Sequence, residues 1–296
     1  MQNLVKIGII GKGAVGVNIA FNLRHSTNIE TTLLIRDSYK LNQELSIKTV
    51  NGEQKAILCK QKYINQHSLA QLDLLILPVK QYQLEALLTL LSPIVNSNTT
   101  LLLLHNGMGG IELAQRYCPN NLLLAGITTD GVYKESLSTY IQTAVGKLEV
   151  GSIEYELSEL SEPFAAIHPN LQWRDDIIFA LYQKLAINAV INPLTALKNC
   201  KNGELLNYPN EVNKIKEEVF DLYEFMNLPI DNHALSQQID DVIQLTKHNY
   251  SSMHQDLHNG RETEVEGILG FLVAKAEETG MKMDFVKGLY QQLKKA

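Results

Sequence analysis

Cysteine is scarce in this chain. Its three residues, Cys59, Cys118 and Cys200, lie far apart and are odd in number. That spacing excludes a CxxC metal or redox motif and offers no disulfide framework, so a reduced, cytoplasmic setting is expected. Long basic runs are missing too. Acidic side chains outnumber basic ones, 32 to 26, for a formal net charge of −6. Such a balance argues against general binding to a phosphate backbone, and no nucleic-acid partner is expected. Long apolar runs are also lacking. Runs such as 74–77 and 101–104 are strand-length. A bilayer span needs roughly 18 residues, so no membrane partner is expected either. The N-terminus turns glycine-rich after one short apolar run, which suits a strand rather than a signal peptide.

What is present points to two domains. With 296 residues of which 45% are hydrophobic, the chain can bury two cores. Residues 4–10 form a nearly continuous apolar run that leads into Gly11-Lys12-Gly13-Ala14-Val15-Gly16. An amphipathic segment with Val15, Ile19, Ala20 and Leu23 on one face follows, then a second β-rich run at 32–35. Strand, GxGxxG, helix and strand are the context of the dinucleotide fingerprint. Gly11 allows the tight turn, Gly13 lets backbone approach a pyrophosphate, and Gly16 lets helix and strand pack closely. The helix N-terminus adds N–H groups and partial positive charge. At the end of the second strand stand Arg36 and Asp37. An arginine there suits a ribose 2′-phosphate, whereas an acid suits a free 2′-hydroxyl. Arg36 favours NADP; Asp37 could repel the phosphate or act as the acid.

The remaining first half, 1–174, reads as more sheet. Asn51-Gly52 between 46–50 and 55–59 signals a hairpin. The run 72–78 reads as a buried parallel strand. It leads to Lys80 and Gln83 at the start of a helix. Residues 100–104 form another strand, which ends in His105-Asn106-Gly107. Ligands of open parallel sheets sit beyond the carboxyl ends of strands, where Lys80 and Asn106 lie. The alternatives are a solvated first-turn lysine and an ordinary Asn-Gly turn. A strand at 122–126, a late hairpin from 140–145 and 147–150, and a surface helix or loop at 158–168 complete this half.

From 175 to 296 the pattern is helical, with helices expected at 175–197, 211–226, 234–246, 262–278 and 284–295. In the first of these, Ile177, Leu181, Leu185 and Ile191 form an apolar stripe. Lys184, Asn188 and Asn192, each four apart, fall on or beside that stripe. They are either satisfied interior amides with a snorkelling lysine or the wall of a site. Pro193 should kink or locally break the helix just past them. The stretch 249–267 is dense in hydroxyls, amides and acids, including Asn249, Ser252 and Glu264, and suits a ligand-facing loop. Glu262, Glu264 and Glu266 could each serve as a first-turn carboxylate. His254 and His258 are four apart but have no third ligand in view, so no metal is expected. In such two-domain plans the cofactor domain is generic, the second brings acid/base groups, and the active site lies between them.

Together these motifs resemble the ketopantoate reductases. The resemblance rests on GKGAVG at 11–16, Pro78-Val79-Lys80 with Gln83, and His105-Asn106-Gly107. In the second half it rests on 184–197, Ser251-Ser252-Met253-His254-Gln255-Asp256 and Thr263-Glu264. It implies an α/β protein with an N-terminal Rossmann-type dinucleotide-binding domain followed by an all-α C-terminal domain. It also implies NADPH-dependent reduction of 2-dehydropantoate to (R)-pantoate, a step toward pantothenate and coenzyme A, by a monomer or homodimer. By matching position, Lys184 corresponds to the general acid and Glu264 to the carboxylate that helps hold it. Asn106, Asn188, Asn192, Asn249 and Ser252 correspond to ligands of a small 2-keto acid. Gly11, Lys12, Gly13, Ala14, Val15, Gly16, Arg36, Lys80, Gln83 and Asn106 correspond to NADP(H) contacts. Members of this family also reduce other branched 2-keto acids with the same core motifs.

Overall fold

The computed structural model describes residues 4–36, 38–153 and 162–296. Asp37 and the first part of the expected 158–168 helix or loop lie outside the described residues. Contacts divide the chain into two units, Met1–His105 with Gly110–Ile177 and Asn106–Gly109 with Ile178–Ala296.

The first unit alternates strands and helices: β1 (Val5–Ile10), α1 (Ala14–Leu23), β2 (Ile29–Ile35), β3 (Leu45–Lys48), β4 (Gln54–Ile57) and β5 (Lys60–Tyr63). Then come α2 (Gln66–Leu69), β6 (Leu74–Leu77), α3 (Gln81–Leu91), β7 (Thr100–Leu103) and α4 (Gly110–Tyr117). It ends with β8 (Leu123–Thr128), β9 (Gly131–Lys134), β10 (Thr139–Ala144), β11 (Leu148–Ser152), α5 (Glu162–Ala165) and β12 (Leu171–Trp173). An eight-stranded sheet runs β12-β11-β8-β7-β6-β1-β2-β5. Its six strands from β5 to β8 are mutually parallel. Taken in chain order they read 3-2-1-4-5-6, the doubly wound dinucleotide-binding order. Both sheet faces are apolar because both are covered. Ile7, Ile9, Leu74, Ile76 and Leu102 join one core with α1, whereas Ile10, Leu75, Leu77, Leu101 and Leu103 join the other with α3 and α4.

A second, four-stranded sheet runs β4-β3-β10-β9. The expected Asn51-Gly52 hairpin is its β3–β4 pair, turned by Gly52 at φ +82°. The expected late hairpin does not form. β10 pairs with β3 and β9, and β11 with β8 and β12. The chain changes sheets at Gly146, where a Cβ would lie 2.5 Å from the Thr129 carbonyl oxygen. Such a close approach needs glycine and turns the strand away. β5, β9 and β12 were not legible in the sequence, being three or four residues each and largely polar or half-buried.

A buried polar network pins α1 to this crossing. Asn18 Nδ2 donates to Asp130 Oδ2 at 2.9 Å, and Gln142 Nε2 donates to Asn18 Oδ1 at 3.0 Å. His168 Nε2 lies 3.1 Å from both Asp130 carboxylate oxygens, and its Nδ1 accepts from Asn170 N at 3.0 Å. The last bond leaves the ring proton on Nε2, facing Asp130. Burial pushes the Asp130 carboxyl pKa up. Hydrogen bonds from His168, Gly146 N–H and Thr128 outweigh it and hold the group below the usual carboxylate value.

The second unit is helical: α6 (Ile177–Lys198), a 3₁₀ turn (Asn202–Asn207), α7 (Pro209–Phe225), α8 (Asn232–Leu245) and α9 (Ser252–His258). A π-helical turn (Glu266–Gly270) then runs into α10 (Phe271–Thr279), followed by α11 (Asp284–Leu293). Among its described residues there is no strand. Tyr182 and Tyr223 pack edge to face at 5.5 Å, and the Tyr223 hydroxyl donates to the Tyr182 carbonyl at 2.8 Å. α6 has the length and mean hydropathy, 1.4, of a bilayer span, and 67% of that window is buried inside the protein. Its apolar character therefore reflects a core helix.

Because Asp130 is depressed when folded, the unfolded chain takes up the proton first. Its contribution to stability is full above about pH 4 and is lost as pH falls below that value. Asp130→Asn should be less stable at pH 7 and should show a shallower loss of thermal midpoint between about pH 5 and 3. An unchanged acid slope would show that this carboxylate does not drive acid unfolding.

Candidate active site

The first unit's candidate residues gather where β2, β1 and β6, adjacent and parallel, present their carboxyl ends. The three motif glycines are required for three different reasons. Gly11 has φ +82° and donates its N–H to the Leu34 carbonyl at 2.7 Å. At Gly16 a Cβ would lie 2.9 Å from both Ile9 Cγ2 and Pro78 Cγ, so helix and sheet close up only on a hydrogen. At Gly13 a Cβ would meet only the Pro78 carbonyl oxygen, at an ordinary 3.7 Å. Its missing side chain keeps an exposed approach open and relieves no clash. α1 begins at Gly13 with no side-chain cap and no acid in its first turn, so its first N–H groups remain for an anion. These features fit a dinucleotide pyrophosphate, with Ala14 and Val15 in the first turn.

Arg36 is exposed immediately beyond β2. Lys80 is half-buried at the N-cap of α3, and Gln83 is exposed one turn on. Lys12 behaves differently from its neighbours. Its ammonium is turned into the protein, donating to the Lys40 carbonyl at 3.0 Å and to Gln43 Oε1 at 3.2 Å. Its own carbonyl accepts from the Tyr140 hydroxyl at 2.9 Å. Only its backbone N–H is left to meet a nucleotide.

In the second unit α6 runs unbroken through Pro193. The helix does not end at the proline. Proline removes one donor, and the buried Val190, Ile191, Leu194 and Ala196 keep the turn packed. Lys184, Asn188 and Asn192 thus stand on one regular helix, about 6 Å apart along its axis. Lys184 and Asn188 are half-buried and Asn192 is buried. Among the described residues, no hydrogen bond engages the side-chain amide of Asn188 or Asn192.

Burial and partners separate the three acids that the sequence left open. Glu262 is exposed. Glu266 is exposed and paired with Lys294 at 2.6 Å and the Tyr290 hydroxyl at 2.6 Å. Glu264 is only 5% exposed, just before the helical turn, and accepts from Asn106 Nδ2 at 3.1 Å. Asn106 reaches it because the loop Asn106–Gly109 lies on the second unit's own backbone. Met108 N–H donates to the Gly267 carbonyl at 2.8 Å, and a Cβ on Gly107, at φ +81°, would sit 2.5 Å from that same oxygen. The π-helical turn starts one residue before Gly267, and such turns often mark functional sites.

The expected loop at 249–264 contains a helix instead. The buried Ser251 caps α9, accepting from His254 N at 3.1 Å. Its hydroxyl meets Thr195 Oγ1 at 2.7 Å, while Thr195 Oγ1 donates to the Ile191 carbonyl, also at 2.7 Å. This hydroxyl pair ties the end of α6, one turn past Asn192, to the start of α9, where Ser252 is exposed at the first position. Asn249 is exposed just before it. Sequence reading quoted Thr195 and Ser251 within motifs but gave neither a role. The serine two residues ahead of Met253 was the available helix-start signal. His254 stacks on Tyr250 at 4.3 Å and on His258 at 4.3 Å, with Nε2 2.9 Å from Asn199 Oδ1. Burial, and then His258, lower its pKa. Among the described residues no group of three or more His, Cys, Asp or Glu side chains could hold a metal ion.

Gly107→Ala should destabilise the protein by more than Gly280→Ala. Gly280 has φ +73° with nothing within 4 Å of a Cβ, so it carries only the left-handed cost of roughly 1–2 kcal/mol. Equal losses in urea melts would show that the Gly107–Gly267 approach constrains nothing.

Comparison with known proteins identifies the family. The family model for ketopantoate reductase PanE/ApbA matches residues 7–155, and that for its C-terminal part matches residues 176–296. The 2-dehydropantoate 2-reductase of Vibrio cholerae is 33% identical over 300 residues, covering 98% of this chain and 97% of that protein. The enzyme of the same name from Bacillus subtilis is 31% identical, covering 98% and 97%. The structure of a PanE/ApbA family ketopantoate reductase from Ralstonia eutropha superposes with a TM-score of 0.88 at 19% identity, covering 98% and 97% of the two chains, and so shares the fold. With both halves matched, the chain belongs to the ketopantoate reductase family.

Proposed function

We propose that this protein reduces 2-dehydropantoate to (R)-pantoate with NADPH, in the supply of pantothenate for coenzyme A. The observation that carries the reading is the row of Lys184, Asn188 and Asn192 on the largely apolar α6. It occurs in a chain that aligns over almost its whole length with proteins named 2-dehydropantoate 2-reductase.

The uncapped start of α1, with Gly11, Gly13 and Gly16, would hold the pyrophosphate of the cofactor, and Arg36 its 2′-phosphate. Lys80, Gln83 and Asn106 would contact the rest. When bound, the cofactor supplies a hydride to the substrate's ketone carbon. This chain's residues supply the remainder. Carbonyl reduction builds negative charge on the ketone oxygen, and a cation within hydrogen-bond reach both stabilises that charge and gives up a proton. Lys184 Nζ fills this role: one N–H bond breaks, the alcohol O–H forms, and the amine regains its proton from water. Glu264, held by Asn106, helps fix Lys184 and accepts from the substrate hydroxyl. Asn188, Asn192 and Ser252, with Asn249, bind the substrate's carboxylate and hydroxyl without adding charge.

The purified protein should oxidise NADPH on addition of 2-dehydropantoate, with NADH much slower, followed by absorbance at 340 nm. Turnover confined to another branched 2-keto acid would move the substrate assignment, and none on any keto acid would leave only a nucleotide-binding role. Arg36→Ala should weaken NADPH about tenfold or more and NADH little, because a charge-assisted phosphate contact is lost. Equal losses would remove Arg36 from reading the 2′-phosphate.

A further inference from the structure

Lys12 is the unusual member of the glycine loop. Its neighbours are small residues and it is a buried cation, 9% exposed. Among the described residues no carboxylate pairs with it. Its partners are neutral oxygens, the Lys40 carbonyl and Gln43 Oε1. Burying a charge without a counter-charge is costly, and chains do so where the charge serves a purpose. Gln43 is in turn braced by Gln61 on β5, whose Nε2 donates to the Gln43 carbonyl at 2.7 Å and whose Oε1 accepts from Gln43 N at 3.3 Å. On the other side, the Tyr140 hydroxyl fixes the Lys12 carbonyl. The ammonium is therefore a strut between the glycine loop and residues 38–43. The Arg36 carbonyl accepts from Tyr39 N at 3.1 Å, which joins that stretch to the end of β2, and Lys40 within it is exposed.

Ser38, Tyr39, Lys40 and Asn42 of that stretch are exposed, while Lys12 holds the Lys40 carbonyl and Gln61 braces Gln43. We infer that Lys12 is a positioning residue for cofactor choice: by clamping residues 38–43 to the glycine loop, it sets Arg36, tied to Tyr39, to receive a ribose 2′-phosphate and so sets the preference for NADPH over NADH. The inference rests on the reading of Arg36 given above. Lys12 acts through this stretch, not by touching the phosphate.

The test is Lys12→Met in the full chain, with Kd for NADPH and NADH measured by direct titration without substrate, alongside kcat and KM on the keto acid that the wild type reduces; the Kd ratio should shift with the kcat/KM ratio. Lys12→Arg, Gln43→Ala and Arg36→Ala accompany it. Lys12→Met should lower the ratio of kcat/KM for NADPH over NADH about tenfold, the loss of one charge-assisted bond, with the change in KM rather than kcat. Gln43→Ala should move the ratio the same way by a smaller factor, and it serves if Lys12→Met does not fold. Lys12→Arg should retain most of the preference. If Lys12→Met and Gln43→Ala weaken both cofactors equally while Arg36→Ala collapses the ratio, the clamp is merely structural and the inference fails. If Arg36→Ala also leaves the ratio unmoved, the reading of Arg36 itself falls.

Discussion

Backbone rests on backbone where Gly107 meets Gly267, and the placement of Asn106 beside Glu264 depends on that contact. A side chain at Gly107 would hold the Asn106–Gly109 loop off the π-helical turn. With none at Gly107, Met108 N–H reaches the Gly267 carbonyl and Asn106 reaches Glu264. A carboxylate that is 5% exposed needs such a donor, because burying it unsatisfied costs several kcal/mol. A loop that follows β7 in the chain thus brings a donor to a buried acid of the helical unit, to which the loop itself belongs.

The two units solve different problems. In the first, the start of α1 is kept open by leaving things out: no Cβ at Gly13, no side-chain cap and no acid in its first turn. In the second, polar groups stand where an apolar helix has none to spare. α6 is hydrophobic enough to pass for a bilayer span, yet it carries a lysine and two amides at four-residue intervals. The Thr195–Ser251 pair then fixes the end of that row against α9. Each buried hydroxyl is satisfied, so the arrangement adds rigidity without an orphaned polar atom.

Much of this was legible beforehand, and the failures have physical causes. The glycine loop, the buried parallel strands and the helical second half follow from local pattern, and the sheet order from the rules that pattern triggers. The late hairpin failed because strand pairing is a long-range choice; nothing within 140–150 says that β10 joins β3 and β11 joins β8. α6 continues through Pro193 because packing outweighs one lost donor. Among Glu262, Glu264 and Glu266 the local signal is the same, and it is tertiary burial and the approach of Asn106 from 158 residues away that set Glu264 apart. Lys12 carried a motif position that pointed to the nucleotide, whereas its side chain answers to Lys40 and Gln43.

The central claim is that the lysine of the α6 row gives the proton that completes carbonyl reduction. The direct measurement is single-turnover oxidation of bound NADPH by Lys184→Ala with saturating 2-dehydropantoate, alongside separate binding titrations of both molecules. The account predicts a rate lower by about 10²-fold or more, the usual range for general acid catalysis, with cofactor binding retained. A near-normal rate would contradict it and remove Lys184 from that role.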